Sequence, residues 1–268
     1  PQRDLGLLAR LGARTQKISR QSIAVLDFVG ELCLSLGRFL RGRASFRGQD
    51  LALMIQDCGP NALGIVTLIS LLVGLILAFV GAMQLKIFGA QIYVANLVGL
   101  GMAREMGAMM TAIIMAGRTG AAYASQLGSM QVNEEIDALK TLGISAIDFL
   151  VLPRLIALVL MLPLLCLYAD FLGILGGLLV SMSLLDISFM EYVTQTQSAL
   201  HLGDFIAGLI KSCVFGVLVA ISGCMSGIGC GRSSSSVGDA ATSAVVSGIV
   251  CIVVADASLT VIYQMIGL

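Results

Sequence analysis

Ala62-Leu-Gly-Ile-Val-Thr-Leu-Ile-Ser-Leu-Leu-Val-Gly-Leu-Ile-Leu-Ala-Phe-Val-Gly-Ala82 carries no charged side chain from end to end. Coiled as a helix at about 1.5 Å per residue, it covers about 30 Å, the depth of a bilayer's hydrocarbon core. Lipid offers no partner to a bare peptide group, so a run of this kind has to satisfy its own backbone as a helix. Similar runs follow at Val94–Ala116, Phe149–Leu185, Phe205–Ile228 and Ala244–Leu268. The expected fold is therefore all-α, a polytopic membrane protein with about five transmembrane helices. The third run is longer than one crossing needs, which predicts tilt, an interfacial extension or a kink near Pro163. The second is interrupted by Arg104 and Glu105.

Composition agrees. Of 268 residues, 57% are apolar and 12% charged, against about 25% charged in a soluble domain. A soluble globule, a disordered chain, a collagen and a disulfide scaffold are all excluded. The seven cysteines form no paired CxxC clusters, so neither a disulfide framework nor a zinc site is implied. No compact apolar run with a small-residue cleavage site precedes residue 47, so no cleavable signal is expected. The chain opens on Pro1, as would one that has lost an upstream segment.

Charge distribution sets the expected orientation. The first 50 residues hold nine Lys/Arg against four Asp/Glu, the remainder seven against twelve. Asp186–Asp204 contains acids and His201 but no Lys or Arg, whereas the segments holding Arg118, Lys140, Arg154 and Arg232 do contain basic residues. Positive loops stay in the cytoplasm, so the acidic loop is outside and the N-terminus inside. Within residues 1–50, Leu5-Gly-Leu-Leu-Ala-Arg-Leu11 and then Ile23, Val25, Leu26, Val29, Leu32, Leu36 and Leu40 recur near helical spacing among Arg20, Asp27, Arg38 and Arg41. The pattern predicts an N-terminal interfacial amphipathic helix, either a simple anchor or one packed along the protein at a lateral lipid entrance. Residues 51–268 form the membrane domain.

Catalytic signatures are missing: no HExxH, GxSxG or Walker motif occurs. Gly227-Ile-Gly-Cys-Gly-Arg-Ser233 lacks the lysine of a phosphate loop and follows an apolar helix, not a strand. Gly223, Gly227 and Gly231 fit small-residue helix packing. Asp170 and Asp256 lie inside apolar runs, where an acid is costly. Two readings stay open: an intramembrane aspartyl protease or proton-coupled carrier using the pair, or neutral or hydrogen-bonded acids within helix contacts.

Between the second and third runs, Val132, Ile136, Leu139 and Leu142 fall on one face of a short helix, with Glu134, Glu135, Asp137 and Lys140 elsewhere. Asn133 is a candidate cap and Gly143 a stop. The stripe is too short to cross the bilayer, and its acidity disfavours the negative inner leaflet, so this cytoplasmic helix is expected to dock into a partner's groove.

Four blocks of this segment, Glu105-Met-Gly-Ala108, Ala116-Gly-Arg-Thr-Gly-Ala121, Ser125-Gln-Leu-Gly-Ser-Met130 and Glu134-Glu-Ile-Asp-Ala-Leu139, resemble the signature of the MlaE family of ABC-transporter permeases. Tyr168-Ala-Asp-Phe-Leu-Gly-Ile-Leu-Gly-Gly177 and Gly231-Arg-Ser-Ser-Ser-Ser-Val-Gly-Asp-Ala-Ala-Thr242, with Val245-Val246, extend the likeness over about residues 50–268. Ala108 stands where the family usually has proline, and Gln126 where it has glutamate.

The resemblance implies a homodimeric permease in the bacterial inner membrane, without an ATPase site of its own. A cytoplasmic ABC ATPase subunit would carry ATP and magnesium, and a periplasmic MCE-domain protein would continue a phospholipid route. No cofactor belongs to this chain and no nucleic acid is expected. Members with a fused STAS domain join it through a stretch like Leu7-Leu-Ala-Arg-Leu-Gly12, so here a STAS-domain protein would be a separate partner. Glu134, Glu135, Ile136, Asp137, Ala138 and Leu139 would form the coupling helix, with Arg118 bracing it. Leu77, Leu85 and Phe88 would line a lipid cavity, and Arg104 with Glu105 would meet the headgroup or neutralise each other.

Overall fold

The computed structural model describes residues 7–41 and 48–266, and every regular element among them is helical. Helix α1 (Leu7–Leu40) runs outside the bundle. The first crossing joins α2 (Gly48–Cys58) to α3 (Leu63–Ile87) through a 3₁₀ turn at Pro60–Ala62. The second comprises α4 (Val94–Gly101), α5 (Gly107–Met115) and α6 (Ala121–Val132), followed by the short α7 (Glu135–Thr141). The remaining crossings are α8 (Leu152–Leu184), α10 (Leu202–Ile228) and α11 (Ser234–Ile266), with α9 (Phe189–Ala199) between the first two of these. Among the described residues five stretches are long and apolar enough to cross a membrane, as the sequence predicts. Residues 267 and 268 of the expected fifth run lie outside the described residues, as do Leu5 and Gly6 and the side chains of residues 7–22 and Leu40.

The crossings extend beyond their apolar runs. The second continues past Ala116 through Arg118 to Val132, because small residues there keep it against its neighbours. A Cβ on Gly223 would lie 2.8 Å from the Gly120 carbonyl, and one on Gly227 2.9 Å from that of Ala124. Gly231 does not share this role; it lies beyond α10 and faces Ser236. The same device joins α3 to α8, where Gly74 sits on the Gly173 backbone and Gly176 on the Leu71 carbonyl. Close backbone approach of this sort replaces the hydrophobic drive that lipid cannot supply. Helix α8 continues through Pro163.

Three π-helical turns interrupt the spans, at Met102–Met106, Ala116–Gly120 and Ile147–Val151. Each holds charged residues: Arg104 and Glu105, Arg118, and Asp148. A π turn widens the backbone by one residue per turn and re-aims its side chains, and such turns gather at functional sites.

Of the expected amphipathic face of α1, Leu32 is buried together with Phe28 and Ser35, while Ile23, Leu26 and Leu36 remain exposed. Arg38 pairs with Asp148 at 2.7 Å and pins the helix to the α8 end of the α7 connection. Helix α2 begins at Gly48, just before the expected division at residue 50. At the opposite end, α9 is capped by Ser188, whose hydroxyl accepts the Glu191 N–H at 3.3 Å. Its Tyr192 is buried, donates to the Ile174 carbonyl at 3.1 Å, and has its phenol pushed up to about 12 by desolvation.

Substituting Gly176 with valine is expected to cost about 1–3 kcal/mol or more, since the added atoms meet α3 backbone. Gly64→Ala, where nothing lies within 4 Å, should leave the thermal midpoint in detergent unchanged. Equal midpoints for the two variants would remove the close-contact account of the α3–α8 seam.

Candidate functional site

A cleft of about 660 Å³ opens between α3 and α4. Leu77, Val80 and Leu85 form one wall and Leu97 and Leu100 the other, with Tyr93 near the mouth and Arg104 and Glu105 among its lining. Four of the five residues expected from sequence, Leu77, Leu85, Arg104 and Glu105, are thus brought together. Phe88 is not among them. Helix α3 stops at Ile87, and Gly89 adopts φ +67°, so that the Gly89 and Ala90 N–H groups bond back to the Lys86 and Leu85 carbonyls. That left-handed stop leaves Phe88 beyond the helix and 79% exposed. Asn96 also lines the cleft, and its Oδ1 has no hydrogen-bond partner among the described residues.

The π turn at Met102–Met106 sends its two charges to different partners. Arg104 pairs with Asp204 at 3.1 Å, whose other oxygen accepts the His201 N–H at 2.9 Å at the start of α10. Glu105 pairs with Lys211 of α10. The Lys211 side chain is completely buried, 3.0 Å from Asp256 Oδ1 and 2.8 Å from Thr260 Oγ1 on α11, with the Tyr263 ring centroid 5.9 Å from its Nζ. Glu105 and Arg104 therefore do not neutralise each other; each has a partner more than ninety positions away in sequence. Lys211 escaped the sequence expectations, although a lone cation inside the Phe205–Ile228 run was the signal to follow.

This arrangement also gives the two intramembrane acids separate surroundings. An aspartyl dyad needs two carboxyls sharing one proton, but Asp256 faces an ammonium. Asp170, 2% exposed, lies against Gly107 with the Cys166 thiol 3.9 Å from its Oδ2. The carboxyls serve separate helix contacts, so the protease geometry is absent.

At the end of the bundle opposite α9, α7 is stopped as expected. Gly143 takes φ +74°, and the Gly143 and Ile144 N–H groups bond to the Lys140 and Leu139 carbonyls. Its start differs. Glu134, not Asn133, occupies the cap in a left-handed conformation at φ 62°, because Asn133 closes α6 and its amide donates to Glu135 at 3.2 Å. The apolar stripe faces inward: Ile136 is fully buried and Leu139 packs against the main core, while Glu134, Glu135, Ala138 and Leu142 are exposed. The surface that α7 offers is its acidic side with Ala138 and Leu142, not the Ile136 stripe. Arg118 is directed elsewhere, donating to the Asp57 carbonyl at 2.7 Å and holding α2. The basic residue that reaches α7 from outside it is Arg232, 3.2 Å from Asp137 and 3.8 Å from Glu134, beside Lys140 of α7 itself, 3.3 Å from the other Asp137 oxygen.

A family model described as Permease MlaE matches residues 52–262. A probable ABC transporter permease protein of Rickettsia prowazekii is 37% identical over 216 residues, 80% of this chain and 83% of its own. One from Synechocystis is 36% identical over 234 residues, 87% of each chain. The protein TRIGALACTOSYLDIACYLGLYCEROL 1, chloroplastic, of Arabidopsis thaliana is 33% identical over 236 residues, 88% of this chain and 66% of its own.

Lys211→Met strands two carboxylates at once and is expected to cost about 3–5 kcal/mol, read as a lowered midpoint in detergent; a midpoint at the wild-type value would show that the cluster does not hold the helices. Gln126 Oε1 accepts from buried Arg154 at 3.3 Å. Gln126→Glu supplies that guanidinium with a carboxylate and should raise stability by about 1 kcal/mol, whereas a fall would mean that desolvation outweighs the pairing.

Proposed function

The chain belongs to the MlaE family of ABC transporter permeases, and we propose that it moves a phospholipid or related diacyl lipid, driven by a partner ATPase. The observation that carries this reading is the α3–α4 cleft, apolar along both walls and ionic where Arg104 and Glu105 enter it. That is the division of an amphiphile. Withdrawing about 30 CH₂ groups into water costs on the order of 24 kcal/mol at about 0.8 kcal/mol each, so acyl chains need a continuous apolar wall. A charged headgroup needs counter-charge, which Arg104 offers once it exchanges Asp204 for the ligand. Asn96 Oδ1 adds an acceptor for a headgroup hydroxyl or ammonium. The name of the Arabidopsis relative contains a diacylglycerol lipid, which favours the same class.

The chain would act as a homodimer in the bacterial inner membrane, α1 and α7 in the cytoplasm and α9 outside. Supporting this orientation, the α7 end collects Arg38, Lys140 and Arg232, while the α9 loop carries Asp186 and Glu191 without a cation. The outward side of α7, with Glu134, Glu135, Ala138 and Leu142, would seat the ABC ATPase subunit that carries ATP and magnesium. An MCE-domain protein would receive or deliver lipid at the α9 end, and a STAS-domain protein would be a further cytoplasmic partner.

Two measurements test this. Native mass spectrometry of the purified assembly should find phospholipid on the wild type and about tenfold less on Leu77→Trp, a loss of about 1.4 kcal/mol of binding; equal occupancy would contradict the cleft as the lipid site. Leu142→Arg should abolish co-purification of the ATPase with the thermal midpoint retained, whereas Ile136→Ala, in the core, should cost about 2–4 kcal/mol of stability. Retained ATPase binding in Leu142→Arg would refute α7 as its seat.

A further inference from the structure

Arg232 sits in the short connection between α10 and α11, and that connection is fastened to the first turn of α11: the Ser236 hydroxyl donates to the Gly231 carbonyl at 2.8 Å and the Ser236 N–H to the Ser233 carbonyl at 3.0 Å. The guanidinium crosses from there to two carboxylates of the α7 segment, Asp137 at 3.2 Å and Glu134 at 3.8 Å. Some 22 residues into α11, about 33 Å along its axis, Asp256 and Thr260 grip the ammonium of Lys211, which in turn holds Glu105 of the cleft wall. Helix α11 is thus tied by charge just ahead of its first turn and again about two-thirds of the way along it.

Between the ties few of its residues are enclosed. Of its most apolar eighteen residues 11% are buried, against 61% in the third crossing and 50% in the fourth. Its buried residues there are Ala240, Ala244, Gly248 and Ile252, one per turn and mostly small. A helix is stiff along its axis, and a smooth small-residue seam permits the slight sliding by which packed helices shift.

We infer that Arg232 is a positioning residue that couples α7 to α11, so that a displacement of α7 is carried along α11 to Asp256, Lys211 and Glu105 at the lipid cleft. This rests on the proposal that α7 seats the ATPase. The pair is weak while water reaches it, with 69% of the Arg232 side chain exposed. A protein seated on α7 excludes that water and strengthens the tie, so the link tightens when the motor is in place.

The test uses the full chain assembled with its ATPase in vesicles of phosphatidylethanolamine and phosphatidylglycerol containing a fluorescent phosphatidylethanolamine. Lipid moved per ATP hydrolysed is compared for wild type, Arg232→Glu, Asp137→Arg, the charge-exchanged double variant and Arg232→Lys. Each charge reversal should lower that ratio about tenfold, within the usual range for coupling between two sites, and Arg232→Glu, which lies off α7, should do so with the ATPase still bound in wild-type proportion. The double variant and Arg232→Lys should recover most of it. A purely structural role would lower the yield of assembled complex and leave the ratio unchanged. The inference is overturned if Arg232→Glu keeps the wild-type ratio, if it releases the ATPase and so belongs to the docking surface, or if the double variant is no better than either single one. A wild-type assembly that hydrolyses ATP and moves no lipid would instead refute the transport function on which the inference stands.

Discussion

An ammonium group shut away from water inside a membrane fold must be neutralised on the spot, and Lys211 sets this requirement for three crossings together. Its partners come from the π turn of the second crossing and from two successive turns of α11. Coulombic attraction is strong at low dielectric, but so is the penalty for leaving any member unpaired. The cluster therefore fixes the register of α10 against both neighbours more sharply than leucine against lipid could. Gly208 completes the junction, since only a residue without a Cβ lets the Ala103 carbonyl lie on α10 there. Because Glu105 is also a wall residue of the cleft, the lock of the fold and the polar part of the cleft are one structure.

The rest of the bundle divides into an enclosed centre and flanks that face outward. Helices α8 and α10 carry more buried residues than any other helix, whereas α3 and α11 present long rows of aliphatic residues outward. The cleft lies between α3 and α4, beside a flank and not inside the centre. Density and rigidity sit where the helices must keep register, and loosely covered elements sit where an amphiphile would enter.

What the sequence disclosed follows from how local each signal is. The five crossings were legible because a run of about twenty apolar residues has few alternatives, and the stop at Gly143 because a left-handed turn needs glycine or a residue like it. Leu77, Leu85, Arg104 and Glu105 were placed together only through family resemblance; nothing in their spacing declares a cleft. Phe88 failed by a single residue, on the wrong side of a helix stop whose signal, Gly89, was available. The inward turn of Ile136 and Leu139 was hidden because periodicity reveals that a face is apolar but not whether it meets its own chain or another. Lys211 was overlooked among apolar neighbours, and its partners, 106 positions before it and 45 and 49 after it, follow from no short-range rule. Arg118 turns to α2 while Arg232 meets α7 for the same reason, since a long cation's partner is set by tertiary approach.

The central claim is that the exposed side of α7 faces the cytoplasm and is covered by a nucleotide-hydrolysing partner. Labelling of Leu142→Cys with a membrane-impermeant maleimide, in a background where exposed Cys33 and Cys251 are serine, examines it directly. The account predicts no reaction in intact cells, reaction in inside-out vesicles stripped of the ATPase, and protection once the ATPase is restored. Reaction in intact cells, or undiminished reaction with the ATPase bound, would contradict it.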